Sequence, residues 1–106
     1  MVRDCSEYGN NKTERAILEN IGAKVHKNSG RGMIKGDGTW HNFTVDVKEC
    51  AASYTLNQVN WAKICTDAVS NHADPMLLLV MGRNDNRKRR LAVIEYEVLE
   101  QLLEGQ

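Results

Sequence analysis

The chain has 106 residues, of which 42% are hydrophobic and 26% charged, and its formal net charge is zero. This fits one domain with one core, spanning residues 1–106, and no apolar run approaches the ~18–20 residues of a membrane span. Three cysteines, Cys5, Cys50 and Cys65, without CxxC spacing argue against a disulfide framework or a zinc site. The first fifteen residues lack the apolar stretch of a secretory signal, so a cytoplasmic location is expected.

The spacing predicts a first helix over about Lys12 to Ile21. Asn10 or Asn11 caps it, Gly22 stops it, and Ile17, Leu18 and Ile21 form its apolar stripe. Glu14 lies one turn before that stripe on the same face, where a carboxylate is costly without a partner or a metal. "AKVHK" reads as a short strand and "NSGRG" as a glycine-rich turn. "MIKGDGTW" and "FTVDVKEC" read as a hairpin closing at His41-Asn42. A long helix is expected from about Thr55 to Ala73, with Trp61, Ile64, Cys65, Ala68 and His72 on its core face. Pro75 ends the turn after it. "MLLLVMG" is a strand buried on both faces. "RNDNRKRR" is a polar turn, "LAVIEY" a strand, and "EVLEQLLE" a last helix with Val98, Leu99, Leu102 and Leu103 facing inward. The expected order is α-β-β-β-α-β-β-α, an α/β fold with a mixed central sheet flanked by helices.

Asp46 and Lys48 interrupt the most strand-like segment, although strand interiors select against such residues. On a strand, Phe43, Val45 and Val47 share one face while Thr44, Asp46 and Lys48 share the other. Asp46 and Lys48 are then neighbours, about 6–7 Å apart from the ~3.3 Å rise. Asp37, on the preceding strand, can come alongside. A lone D-x-K is usually a surface ion pair. Two carboxylates beside an ammonium, with Glu14 on a helix and basic stretches on either side, instead suit a hard cation such as Mg²⁺ or Mn²⁺ and metal-assisted phosphodiester hydrolysis. The neutral total conceals Lys24, Lys27, Arg31, Lys35 and Lys48 in one basic stretch, and Arg83, Arg87, Lys88, Arg89 and Arg90 in another.

The stretch "TERAILENIGAKVHKNSGRGMIKGDGTWHNFTVDVKEC" resembles the core of the PD-(D/E)xK nuclease superfamily, most nearly the archaeal-type Holliday junction resolvases and their phage relatives. The likeness continues through "TLNQVNWAKICTDA" and "DPMLLLVM", and it rests on the order and spacing of degenerate motifs. It implies a restriction-endonuclease-like core. It also implies that Asp37, Asp46 and the Val47 carbonyl ligate Mg²⁺ (or Mn²⁺), that Glu14 binds through a water or closes the site, and that Lys48 positions the attacking water. Ser29 would touch the scissile phosphate, and Gln58 falls where relatives carry a glutamine. Two departures stand out: Gly36 occupies the usual proline position, and Asp46 replaces the more usual glutamate.

The expected function is Mg²⁺-dependent resolution of four-way DNA junctions. Paired cuts by a one-site domain imply a homodimer. "MLLLVM" and the last helix are candidate interfaces. Lys24, Lys27, Arg31, Lys35, Gln58, Arg87, Lys88, Arg89 and Arg90 would hold DNA, mostly through its backbone. Alternatives are a nicking or linear-duplex nuclease on the same fold, or a non-catalytic DNA-binding module. "WHN" at 40–42 lacks the second histidine of an HNH site. Trp40, Trp61 and His72 read as packing residues, and Glu49 as a surface charge or half of an ion pair.

Overall fold

The computed structural model describes residues 11–26, 34–82 and 88–105, with the backbone alone at 11–13. These form three helices and five strands: α1 (Asn11–Asn20), β1 (Lys24–Val25), β2 (Gly38–Trp40), β3 (Phe43–Cys50), α2 (Gln58–Ser70), β4 (Asp74–Met81), β5 (Arg89–Val93) and α3 (Tyr96–Glu104). The strands make one mixed sheet in the order β1-β2-β3-β4-β5, antiparallel except for the parallel pair β3–β4. Parallel neighbours need a long crossover, and α2 supplies it. No helix among the described residues is long and apolar enough to cross a membrane.

Strand alternation assigns the layers. Phe43, Val45 and Val47 of β3 join Met76, Leu78 and Val80 of β4 beneath Leu18 of α1 and Val98 of α3. Register carries Asp46 opposite Leu77 and Lys48 opposite Leu79 on the reverse face. There α2 packs through the buried Ile64 and Ala68. With both faces covered, β4 is apolar from Pro75 to Met81, and Met76 to Val80 are all buried. It also has a strand on each side, so it offers no surface to a second subunit.

Helix α1 ends in a Schellman motif. The Ala23 N–H donates to Leu18 O at 2.9 Å and the Gly22 N–H to Glu19 O at 3.1 Å, with Gly22 at φ +84°. Helix α2 is shorter than expected at both ends. The Asn57 side chain caps it by accepting from the Asn60 N–H at 2.8 Å, and Asn71 follows its last turn. His72 therefore lies beyond the helix, exposed and at φ +57°, instead of on the core face. Pro75 is already inside β4, buried, one residue past its start. In α3 only Val98 is buried, while Leu99, Leu102 and Leu103 are 40%, 49% and 60% exposed. The inward-facing reading fails there because the sheet reaches only one turn of this helix.

Gly36 explains its own departure from proline. Its φ is +83°, which a ring fixed near −65° cannot adopt. A Cβ at Gly36 would lie 2.4 Å from Cγ2 of the buried Thr44. Gly36→Ala is expected to cost about 2–4 kcal/mol, from left-handed strain plus overpacking. A urea-unfolding midpoint equal to wild type would contradict this.

Candidate functional site

The site begins where β2 leaves β3. The last paired residues are Gly38 and Val45, and Asp37 stands one residue before β2, where the ladder ends. The Asp37 backbone N–H still donates to Val45 O at 2.9 Å. Its side chain then takes over from the backbone, with Oδ2 accepting the Val47 N–H at 2.8 Å. The carboxylate thus terminates the hairpin ladder, and its Oδ1 makes no hydrogen bond among the described residues.

Asp46 is half-buried on the α2 face, and its Oδ2 is buried without a hydrogen-bond partner among the described residues. Desolvation pushes its pKa up to about 6; Asp37 and then Asp67 push the same way, while Lys63 and Lys48 oppose. Lys48 is exposed two residues further along the same face. Glu14, in the first turn of α1, is pushed up to about 7, first by burial and then by Asp37, with smaller raising contributions from Glu49 and Asp46 and a lowering one from Lys48. Asp46 and Lys48 lie on one face of β3 and Glu49 on the other, so a carboxylate that senses all three sits over the strand's free edge. Opposite sheet faces thus receive α1 and α2, yet Glu14 still reaches the field of Asp37, Asp46 and Lys48.

Among the described residues, no group of three or more His, Cys, Asp and Glu side chains stands ready to enclose a metal. Mg²⁺ does not need such a cage; it keeps several waters and is commonly held by one or two carboxylates together with substrate phosphates. Asp37 and Asp46 fit that requirement. They are hard oxygen donors, one just before β2 and one on β3; Asp46 has a buried oxygen lacking a partner among the described residues, and each raises the cost of charge on the site.

The basic residues divide. Lys24, Lys35 and Arg89 are exposed, and Gln58 opens α2 in an exposed position. Lys88 Nζ lies 3.8 Å from Glu49 Oε1, and Arg90 Nη1–H donates to Asn20 Oδ1 at 2.8 Å. These two cations are partly engaged by the protein itself. Ser29, Lys27, Arg31 and Arg87 lie outside the described residues.

Sequence reasoning passed over several participants. Glu49 is buried, so it is no surface charge; it is the ion-paired alternative, and its Oε2 has no hydrogen-bond partner among the described residues. Burial holds its pKa above the usual carboxylate range, with Lys88 opposing. Asp67 and Lys63, an i,i+4 pair 3.5 Å apart on α2, face Asp46. Their helical spacing was visible; their position over β3 was not. His26 and Asn71 reach the turn that carries Asp37. No protein-family model, curated protein sequence or solved structure matches the chain.

Proposed function

We propose that this chain is a Mg²⁺-dependent endonuclease of restriction-endonuclease-like core that cuts four-way DNA junctions as a homodimer. The observation that carries the reading is the Asp37 carboxylate, fastened on the Val47 N–H just past the hairpin ladder and close enough to Asp46 to oppose its ionisation, with Lys48 on the same face of β3 as Asp46. A structural ion pair would bring the lysine and aspartate together and leave no buried oxygen unpaired. Here Asp46 keeps an Oδ2 without a partner among the described residues, at a carboxylate-rich position, an arrangement typical of binding and catalytic sites.

Asp37, Asp46 and the Val47 carbonyl would hold the ion, with Glu14 at its margin. Bound there, the ion supplies Lewis-acid polarisation of a phosphoryl oxygen. Lys48 orients a water by hydrogen bonding and offsets negative charge building on phosphorus. The water oxygen forms a bond to phosphorus, one P–O ester bond breaks, and the departing oxygen takes a proton. Exposed Lys24, Lys35 and Arg89 contribute phosphate contacts, so affinity should fall steeply with salt.

The test is an assay on a synthetic four-way junction beside flap and linear duplexes, with Mg²⁺ or with excess EDTA. Symmetric nicks in opposing strands, dependent on Mg²⁺, are expected. Equal cutting of all three substrates would reassign the chain as a general nuclease. Cutting in EDTA, or no cutting of any DNA in Mg²⁺ or Mn²⁺, would overturn the proposal.

A further inference from the structure

The turn before β2 is tied down more heavily than a surface turn requires. Three successive carbonyls, at Lys35, Gly36 and Asp37, each have a donor. Asn71 Nδ2–H donates to Lys35 O at 2.9 Å. His26 Nδ1 lies 3.1 Å from Gly36 O. The His26 backbone N–H donates to Asp37 O at 2.9 Å. A carbonyl only accepts, so Nδ1 carries the proton, and in the neutral ring Nε2 accepts from the Thr39 hydroxyl, 2.5 Å away. Asn71 also donates to Oγ1 of the buried Thr44 at 3.1 Å. His26 itself is 6% exposed. One side chain follows β1 and the other caps α2, so the turn is fastened from two different parts of the fold. What it delivers is a single functional group, the Asp37 carboxylate on the Val47 N–H.

We propose that His26 and Asn71 are positioning residues that fix the Asp37 carboxylate as a metal ligand. The inference rests on the nuclease reading, because it assigns Asp37 that role. Neither residue reaches the ion. They act by removing the freedom of the backbone from which the ligand hangs, and loss of such supporting groups commonly weakens metal binding about 10–100-fold.

Two readouts test this on the full chain. The first is hydrogen exchange at the Val47 amide, which reports the Asp37 contact without any metal. In His26→Leu and Asn71→Ala it should quicken at least about tenfold while β4 amides keep wild-type rates, since only the local tie is lost. His26→Asn, which retains a donor toward Gly36 O, should stay near wild type. The second is titration with Mn²⁺ alone, where the first two variants should bind about 10–100-fold more weakly. Thr39→Val, a gentler change that removes the second partner of His26, should move both readouts the same way if a variant fails to fold. Unchanged Val47 protection and unchanged Mn²⁺ affinity, in a wild type that binds Mn²⁺ and cuts, would overturn the inference and leave the nuclease reading standing. Faster Val47 exchange in a protein whose wild type binds no Mn²⁺ would remove the metal role and the nuclease reading, while the fastening of Asp37 would stand.

Discussion

Asp46→Asn is expected to abolish junction cutting and, at the same time, to stabilise the metal-free protein above pH 7. The two effects share one cause. Asp46 is held among Leu77, Asp37 and the α2 side chains, and its pKa is pushed up to about 6 by desolvation and by like charge. At pH 8 the folded protein therefore carries an ionised carboxylate where a neutral group is preferred. The rise from 3.8 to about 6 corresponds to about 3 kcal/mol, which solvent screening at a half-buried position reduces to about 1–2 kcal/mol. Asparagine keeps the shape and drops the charge, so the melting temperature should rise by roughly 5 °C or more. Cutting should fall by about 10²–10³-fold or further, the scale of losing one preorganised electrostatic group. Lys48→Ala should lose cutting to a similar degree, and both variants should still bind the junction, because backbone contacts elsewhere dominate affinity. A drop in melting temperature for Asp46→Asn would mean that the carboxylate is structural, and full cutting by either variant would refute its place in the chemistry.

The strands that bury both faces were legible because nothing but an apolar run satisfies them, as "MLLLVM" shows. The alternation at Phe43, Val45 and Val47 against Asp46 and Lys48 likewise separates core from candidate site within the sequence itself. The end of α1 was also legible, since Gly22 carries the backbone freedom that the Schellman turn uses. Helix α3 was misread because its leucines announce an amphipathic helix without saying how much of its apolar side the fold covers. Leu102 and Leu103 keep the spacing of core residues and remain 49% and 60% exposed. Helix α2 was overextended because Asn57 and Asn71 compete as caps with a continuing helical pattern, and only tertiary contacts decide. Asn71 makes its decisive bonds to Lys35 and Thr44, far away in sequence. His26 escaped notice for the same reason. A lone histidine between two lysines carries no local sign that Gly36 and Thr39 will fold over it. Glu49 follows Lys48 on the opposite face of β3, and its ion pair is made with Lys88, which arrives from beyond β4.

In EDTA, the melting temperature should fall as pH rises from about 4 to about 7.5, and Mg²⁺ should recover the loss at the alkaline end. Glu14 rises from 4.5 to about 7 and Asp46 from 3.8 to about 6, both chiefly through burial. Between the unfolded and folded values the folded chain binds more protons than the unfolded one, so stability declines with increasing pH. The contribution is fully present below the unfolded values and is lost as pH passes through the folded ones. Paired surface carboxylates have depressed folded values and gain stability with rising pH only below about pH 5, so a decline that continues to about pH 7.5 is diagnostic. A Glu14→Gln, Asp46→Asn double variant should lose this slope, isolating it from other titrating groups. Mg²⁺ requires the deprotonated carboxylates and competes with protons for them, so its affinity should climb over the same interval. At about a hundredfold excess over its dissociation constant it would add about 2.7 kcal/mol, with little effect at pH 5. Cutting should show an acidic limb in the same range, because Asp46 and Glu14 must shed their protons before the site can operate. A metal-free melting temperature that rises with pH in the wild type and the double variant alike would show that these carboxylates are not held in a costly state. A Mg²⁺ response equal at pH 5 and pH 8 would show that the ion does not bind to them.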